Sequence, residues 1–278
     1  MKKTILITGG TGFLGKSLVY SLINQGHNVV VTGYSESGIK GFEREFGANE
    51  KIKLYSLDIT AGYLHLKRII QKHSVTHIIH AAALKHVGIC EDNPTRAIEV
   101  NVNGSRNVID AAISENVKNV IAISTDKSVK PLCVYGMTKK LMEEIFIENG
   151  FSVFRGVNFL FSSESVLDIW DKLRVQNKPI LVNKSAVRYF STIEQVSDKI
   201  ISCLDYKGQF SVDECYEISI ENLQKAFSEY HNYWNVKEYV PLKIEKTEEE
   251  LPLEGMAIVK PDVPFVAKLF SEYYGSKS

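Results

Sequence analysis

The chain has 278 residues, with 33 Lys+Arg against 33 Asp+Glu for a formal net charge of +0, and 44% of its residues are hydrophobic. That length and apolar content allow one large α/β domain with a smaller appended part. The balanced charge excludes long-range attraction to nucleic acid or an anionic membrane surface, so an anionic ligand has to be held locally.

Met1-Lys2-Lys3 ahead of the apolar Thr4 to Thr8 has the look of a signal peptide. Gly9 and Gly10 interrupt the run and Lys16 follows, so it reads as an opening strand that is neither secreted nor membrane-spanning. Further short, β-branched runs at Asn28 to Thr32, Ile52 to Leu57, His77 to Ala81, Asn119 to Ser124 and Ser152 to Gly156 read as strands. Between them lie amphipathic stretches such as Leu14, Leu18, Val19, Leu22 and Ile23, with the spacing of a helix face. Alternating strands and helices predict parallel βαβ units and a doubly wound, Rossmann-type sheet with ligands at the carboxyl ends of its strands. The expected division is a dinucleotide-binding domain over 1–158 and a smaller substrate-binding part over 159–278, of which about 184–206 packs back on the first. The polar stretch from Lys243 to Glu250 reads as solvated surface or a loose connection. Cys90, Cys133, Cys203 and Cys215 are scattered and form no CxxC pair, which argues against a metal site or a disulfide scaffold and for a reducing cytoplasm.

Thr8-Gly9-Gly10-Thr11-Gly12-Phe13-Leu14-Gly15 leaves the first strand and opens the first helix, the context a dinucleotide fingerprint requires. Gly9 allows the tight turn, Gly12 lets backbone approach a pyrophosphate, and Gly15 permits close helix packing. The second strand ends without an acid at Val31-Thr32-Gly33-Tyr34-Ser35, and Lys40 and Arg44 follow. This favours NADP over NAD, with Glu36 pulling the other way. Asp58 and Ile59 are placed against the adenine, although an Asp there also suits a helix cap. Ala81, Ala82 and Ala83 supply small residues where backbone passes the cofactor. Asn101 reads as a buried, backbone-bonded structural residue on a helix.

Ser124-Thr125-Asp126-Lys127-Ser128 leaves strand five, and Tyr135-Gly136-Met137-Thr138-Lys139 follows. Tyr135 and Lys139 share a helix face, so an ammonium beside the phenol is expected to lower its pKa from about 10 towards working pH.

With the glycine turn, this YxxxK pair resembles the extended short-chain dehydrogenase/reductase superfamily, which implies hydride chemistry. More narrowly, His80-Ala81-Ala82-Ala83-Leu84-Lys85-His86-Val87 and Ser124-Thr125-Asp126-Lys127 resemble the UDP-N-acetylglucosamine 4,6-dehydratases of bacterial surface-sugar synthesis. Arg155-Gly156-Val157-Asn158 and Val187-Arg188-Tyr189-Phe190 resemble that family's strand-six and substrate-arginine segments, and beyond about residue 205 only Glu245 to Glu250 is similar. The chain departs from the family at Ser35-Glu36, where an Arg is usual, and at Phe161 to Ser165, where a glycine-rich loop is expected. The resemblance implies Tyr135 as base at the sugar C4 hydroxyl, Lys127 as base at C5, and Asp126, protonated by burial, as acid at the C6 hydroxyl, with Thr125 and Lys139 completing the catalytic set. It places the sugar nucleotide on Lys85, Asn158 and Arg188, implies C5 inversion, and implies a homo-oligomer paired through helices around Ile98 to Ala112 and Met137 to Phe146. A C4 reductase or C5 epimerase on the same scaffold keeps Tyr135 and Lys139 without needing both Asp126 and Lys127. A dinucleotide sensor would not need the tyrosine and lysine pair at all.

Overall fold

The computed structural model describes residues 2–238, 253 and 255–275. The stretch from Lys243 to Glu250 singled out above lies outside them. In chain order the first elements are β1 (Thr4–Thr8), α1 (Phe13–Asn24), β2 (Asn28–Gly33), α2 (Glu36–Phe46), β3 (Ile52–Ser56), α3 (Tyr63–His73), β4 (His77–His80), α4 (Val87–Asp92) and α5 (Pro94–Ile98). A π-helical turn (Glu99–Gly104) leads into α6 (Ser105–Ser114), and β5 (Asn119–Thr125) is followed by a 3₁₀ turn (Asp126–Ser128), α7 (Val134–Glu148) and β6 (Ser152–Gly156). Then come β7 (Asn158–Phe159), α8 (Val166–Val175), β8 (Ile180–Val182), β9 (Val187–Ser191), α9 (Ile193–Ser202), β10 (Gln209–Phe210), β11 (Glu214–Ser219), α10 (Ile220–His231), β12 (Val236–Glu238), β13 (Ala257–Val259) and α11 (Val263–Gly275). The six expected strands of the N-terminal half all form, each within one residue of its sequence bounds.

The chain forms two compact units, Met1–Gly156 with Ile193–Ser211, and Val157–Thr192 with Val212–Ser278. In the first, seven strands run in the order β10-β6-β5-β4-β1-β2-β3. All six neighbouring pairs are parallel. The order 3-2-1-4-5-6 is that of a Rossmann-type sheet, with one further strand added beside β6. Its strands are buried on both faces because alternate residues point to opposite sides. Leu6, Val30, Ile78 and Val120 meet Leu66 and Ile70 of α3, Val108 and Ala112 of α6, and Met142 and Phe146 of α7. The other set, Ile5, Ile7, Val29, Val31 and Ile79, is equally enclosed. Burying a side chain such as Leu18 of α1, which is fully covered, stabilises by roughly 2 kcal/mol.

In the second unit β13, β11, β9 and β7 form a mixed sheet, with β9 antiparallel to β11, and β12 pairs with β8. Trp170, Phe227 and Phe270 fill its core, and the Trp170 indole donates to the Leu181 carbonyl at 3.0 Å. One expectation needs correcting here. The segment about 184–206 does not return whole to the Rossmann unit, because Val187–Ser191 spends its backbone hydrogen bonds on β11 and β7, and only Ile193–Ser211 belongs to the first unit.

Candidate functional site

β1 lies between β2 and β4, so the strand order reverses at its carboxyl end, where the sheet opens a crevice. The glycine turn occupies that point. Gly9 has φ +68°, and a β-carbon there would stand 2.6 Å from the Ala82 nitrogen. The turn and the Ala81-Ala82-Ala83 segment after β4 therefore touch through bare backbone. Gly15 is tighter still, since a β-carbon would meet the Gly10 Cα at 2.4 Å. Gly12 is the N-cap of α1 and has no side chain to cover the helix's first amides, which by helix geometry lack intrahelical acceptors. Phe13 and Leu14 begin that helix, and Leu14 is buried. Thr11 leans on the β2 to α2 connection, where a β-carbon at Gly33 would fall 2.6 Å from its side chain. A close backbone turn, a glycine cap and a helix dipole fit the diphosphate of a dinucleotide.

Around this turn some expected cofactor residues carry a second task. Ser35 caps α2, its Oγ accepting from the Gly38 amide at 3.2 Å. Lys40 pairs with Glu36 at 2.5 Å, and the Arg44 Nε donates to the Lys40 carbonyl at 3.3 Å. Asp58 Oδ1 accepts from both the amide and the hydroxyl of Thr60 at 2.8 Å, so its side chain stabilises a turn. Ile59 is buried. Asn101 sits in the π-helical turn instead of a regular helix. Its amide clamps Leu84 at both backbone groups, 2.8 and 2.9 Å, and reaches Thr138 Oγ1 at 3.0 Å.

The catalytic candidates of the first unit converge at the end of β5. The Asp126 side chain is 1% exposed. Its Oδ1 accepts from the Thr125 hydroxyl at 2.7 Å and the Lys127 amide at 3.0 Å, with Lys127 Nζ at 3.5 Å. Its Oδ2 is buried and has no hydrogen-bond partner among the described residues. Tyr135 hydrogen-bonds the Thr125 side chain and feels the charges of Lys127 and Asp126. Lys85 and His86 are exposed on the segment after β4.

The tyrosine's electrostatics differ from expectation. Burial pushes the phenol up to about 12, and the lowering influences are Lys127 and the Thr125 hydrogen bond. Lys139 does not act as the phenol's neighbour. Its ammonium donates to the Ile123 carbonyl at 2.5 Å and lies 3.2 Å from Met142 Sδ, while burial brings its own pKa down to about 8. Helical spacing puts two side chains on one face but does not choose between a neighbouring side chain and a nearer backbone acceptor.

Four groups escaped the sequence reading. A β-carbon at Gly136 would meet the Lys127 carbonyl oxygen at 2.4 Å, so the helix packs directly on the acid and base turn. Glu143, fully buried, holds Arg155 through two bonds of 2.9 and 2.6 Å and accepts from Ser128 Oγ at 2.6 Å. The stripe Tyr135, Lys139, Glu143 at intervals of four was visible and pointed to it. Asn158 and Arg188 belong to the second unit. There Asn158 Nδ2 donates to the Tyr189 carbonyl at 2.9 Å, and Arg188 Nη1 to the Val187 carbonyl at 3.0 Å.

Comparison with known proteins identifies the family and the fold. An uncharacterized membrane protein of Methanocaldococcus jannaschii is 33% identical over 273 residues, covering 91% of this chain and 81% of that one. Among the described residues here, no helix is long and apolar enough to cross a membrane. A UDP-N-acetylglucosamine 4,6-dehydratase (inverting) of Campylobacter jejuni is 36% identical over 240 residues, 82% of this chain and 71% of that protein. The crystal structure of Pen from Bacillus thuringiensis superposes with a TM-score of 0.85 at 25% identity, covering 98% of each chain. The model of the polysaccharide biosynthesis protein family matches residues 5–257, and the chain belongs to that family, on the extended short-chain dehydrogenase/reductase fold.

Proposed function

We propose that this protein is a nucleotide-sugar 4,6-dehydratase that converts a UDP-N-acetyl-hexosamine, UDP-N-acetylglucosamine first among them, to its 4-keto-6-deoxy product for surface glycan synthesis. The observation that carries the reading is the Asp126 carboxyl, with one oxygen held by Thr125 and Lys127 and the other buried and unpartnered beside Lys127 and Tyr135. A bond-satisfied acid would be a structural group, whereas a buried oxygen with spare capacity suits a ligand hydroxyl. Reduction or epimerisation needs the tyrosine and lysine, but neither needs an acid and an amine at this turn.

A nicotinamide dinucleotide held by the Gly9 to Gly15 turn and the first amides of α1 would supply the hydride acceptor for C4 and the hydride donor for C6. Tyr135 takes the C4 hydroxyl proton, leaving a 4-ketone that acidifies the C5 hydrogen. Lys127 removes that proton as Asp126 protonates the leaving C6 hydroxyl, so water departs across C5 and C6. A proton then returns to C5 as C6 gains hydride, and the net change is the loss of one water. Inversion at C5 is proposed from similarity to the C. jejuni enzyme.

NADP is the proposed dinucleotide. No carboxylate ends β2, and the Lys40 and Glu36 pair is exposed at 66% and 81%, a weak bond that a 2′-phosphate can displace. Tighter binding of NAD⁺ than NADP⁺ would overturn this choice. Arg188 and Asn158 are proposed as substrate contacts, with Lys85. A homodimer pairing α6 and α7 is proposed from the exposed Ile113, Met137 and Leu141 on those helices. All four cysteines are thiols, in keeping with a cytoplasmic setting.

The test is incubation with UDP-N-acetylglucosamine and NADP⁺ in deuterium oxide, followed by proton NMR. Loss of water with deuterium at C5 and unchanged cofactor is the expected result. A C4 epimer, or a stoichiometric change in the cofactor, would sink the proposal.

A further inference from the structure

The acid and base turn and the tyrosine helix are separate pieces of chain, and besides the Tyr135 phenol two contacts hold them together. At the first, Gly136 of α7 lies against the Lys127 carbonyl, with room for no β-carbon. At the second, Ser128, which ends the turn, places its hydroxyl 2.6 Å from Glu143 Oε1 of α7 and 2.6 Å from the Thr125 carbonyl. Glu143 is in turn pinned by Arg155 of β6, whose strand pairs with β5 in the register Ser124 to Arg155 and Thr125 to Gly156. Glu143 is 0% exposed and Arg155 14% in their side chains. A buried pair of this kind is weak support for stability, because desolvation offsets its attraction. It is strong support for geometry, because a bidentate guanidinium and a carboxylate admit few arrangements.

We propose that Glu143, held by Arg155 and grasping Ser128, is a positioning residue that sets the Asp126 and Lys127 turn in register with the Tyr135 phenol. This rests on the dehydratase reading and deepens it. Tyr135, Lys139 and Glu143 recur every four residues on α7, so the helix that carries the proposed C4 base also carries the anchor of the turn that removes water. Loosening the anchor leaves C4 oxidation in place and misaligns only the acid and base of the elimination. Displacements of about 1 Å cost catalysis on the order of 100-fold.

The decisive variant is Ser128→Ala, which cuts the tether while leaving the ion pair intact; Glu143→Gln is its companion. With UDP-N-acetylglucosamine and NADP⁺, the rapid ultraviolet rise that reports hydride transfer should stay within about twofold of the parent. Water loss should slow by about 10-fold to 100-fold, so that undehydrated 4-keto hexose accumulates. In the free protein, the Lys127 amide should exchange its hydrogen faster in Ser128→Ala than in the parent. Equal slowing of both chemical steps, or unchanged water loss and unchanged amide exchange, would overturn the assignment. If the parent protein itself removes no water, the dehydratase reading fails instead, and amide exchange alone then decides whether the anchor holds the turn. If Glu143→Gln does not fold, Ser128→Ala carries the test.

Discussion

His80 Nδ1 lies 2.6 Å from Thr8 Oγ1, and its Nε2 lies 2.8 Å from Ser105 Oγ. Ser105 donates its proton to the Asn101 carbonyl at 2.7 Å, so its oxygen accepts from Nε2–H, and Nδ1 is left to accept from Thr8. The tautomer follows from the network. Asn101 continues the chain to Leu84 and Thr138, so a buried polar line runs from the end of β1, beside the glycine turn, to the tyrosine helix.

Burial, with Lys139 adding to it, pushes His80 down to about 3. A group whose folded pKa lies below its unfolded value of about 6.5 is protonated first in the unfolded chain. Its contribution is complete above pH ~6.5 and is lost as pH falls towards ~3, at roughly 1.4 kcal/mol per unit. Urea unfolding of the parent and of His80→Asn at about pH 7 and about pH 5 should show the parent losing some 2 kcal/mol more than the variant. Parallel losses would mean that His80 accepts a proton without cost.

Replacing Asp126 by Asn, or Lys127 by Ala, should lower water loss by about 100-fold to 10,000-fold, the usual weight of a proton-transfer group. Dinucleotide affinity, measured by calorimetry, should stay within a few-fold, since neither side chain belongs to the glycine turn. Full dehydration by both variants would remove the turn from the mechanism.

Tyr135 sits at about 12 in the free protein, so its phenol should stay silent in an ultraviolet difference titration up to about pH 10. Tyr135→Phe should leave that titration unchanged below this point, and should reduce hydride transfer from C4 by at least about 100-fold. A phenolate signal near neutrality that vanishes in Tyr135→Phe would show that the free protein already lowers the phenol.

The fold was legible because its signals are local and repetitive. Six apolar strand runs and a glycine turn in the right context dictate a Rossmann-type sheet almost without reference to the rest of the chain. Within the candidate site, only neighbours carried by one segment were legible, as in Thr125-Asp126-Lys127, beside which the structure places Tyr135. What could not be read depends on which of several partners a group meets in space. Helical spacing pairs Lys139 with the phenol, yet its ammonium reaches the Ile123 carbonyl, and only the structure shows that Asp58 takes up the local turn role with Thr60. Glu143 and Arg155 are twelve residues apart and declare themselves only when β6 lies beside β5. The second unit was opaque for the same reason. Its mixed sheet joins β9 to β11 and β7 across sequence gaps that carry no periodic signal.

Gly15→Ala should be among the most damaging changes to cofactor binding. The added carbon would stand 2.4 Å from the Gly10 Cα and 2.6 Å from the Gly10 carbonyl oxygen, a backbone collision that no rotamer relieves. Overpacking of this kind costs about 1 to 3 kcal/mol, and here it pushes α1 away from the turn that its amides serve. Calorimetry should show NADP⁺ binding weakened by more than about 10-fold, with a lowered melting temperature. A variant that binds as the parent does would mean that the turn relaxes freely and is not a rigid phosphate cradle.

Arg188→Ala separates the two ligands. Arg188 lies on β9, opposite Ile218 of β11, and its Nη1 donates to the adjoining Val187 carbonyl. A planar guanidinium has the shape to hold two phosphate oxygens. Arg188 is not part of the glycine turn, so its loss should leave NADP⁺ affinity unchanged. UDP affinity should fall by about 10-fold or more, the 1.5 to 3 kcal/mol expected of a hydrogen bond to a charged group. Titration of each nucleotide alone into the parent and the variant reads both quantities. Equal weakening of both would assign Arg188 to the integrity of the fold, and unchanged UDP binding would place the diphosphate elsewhere.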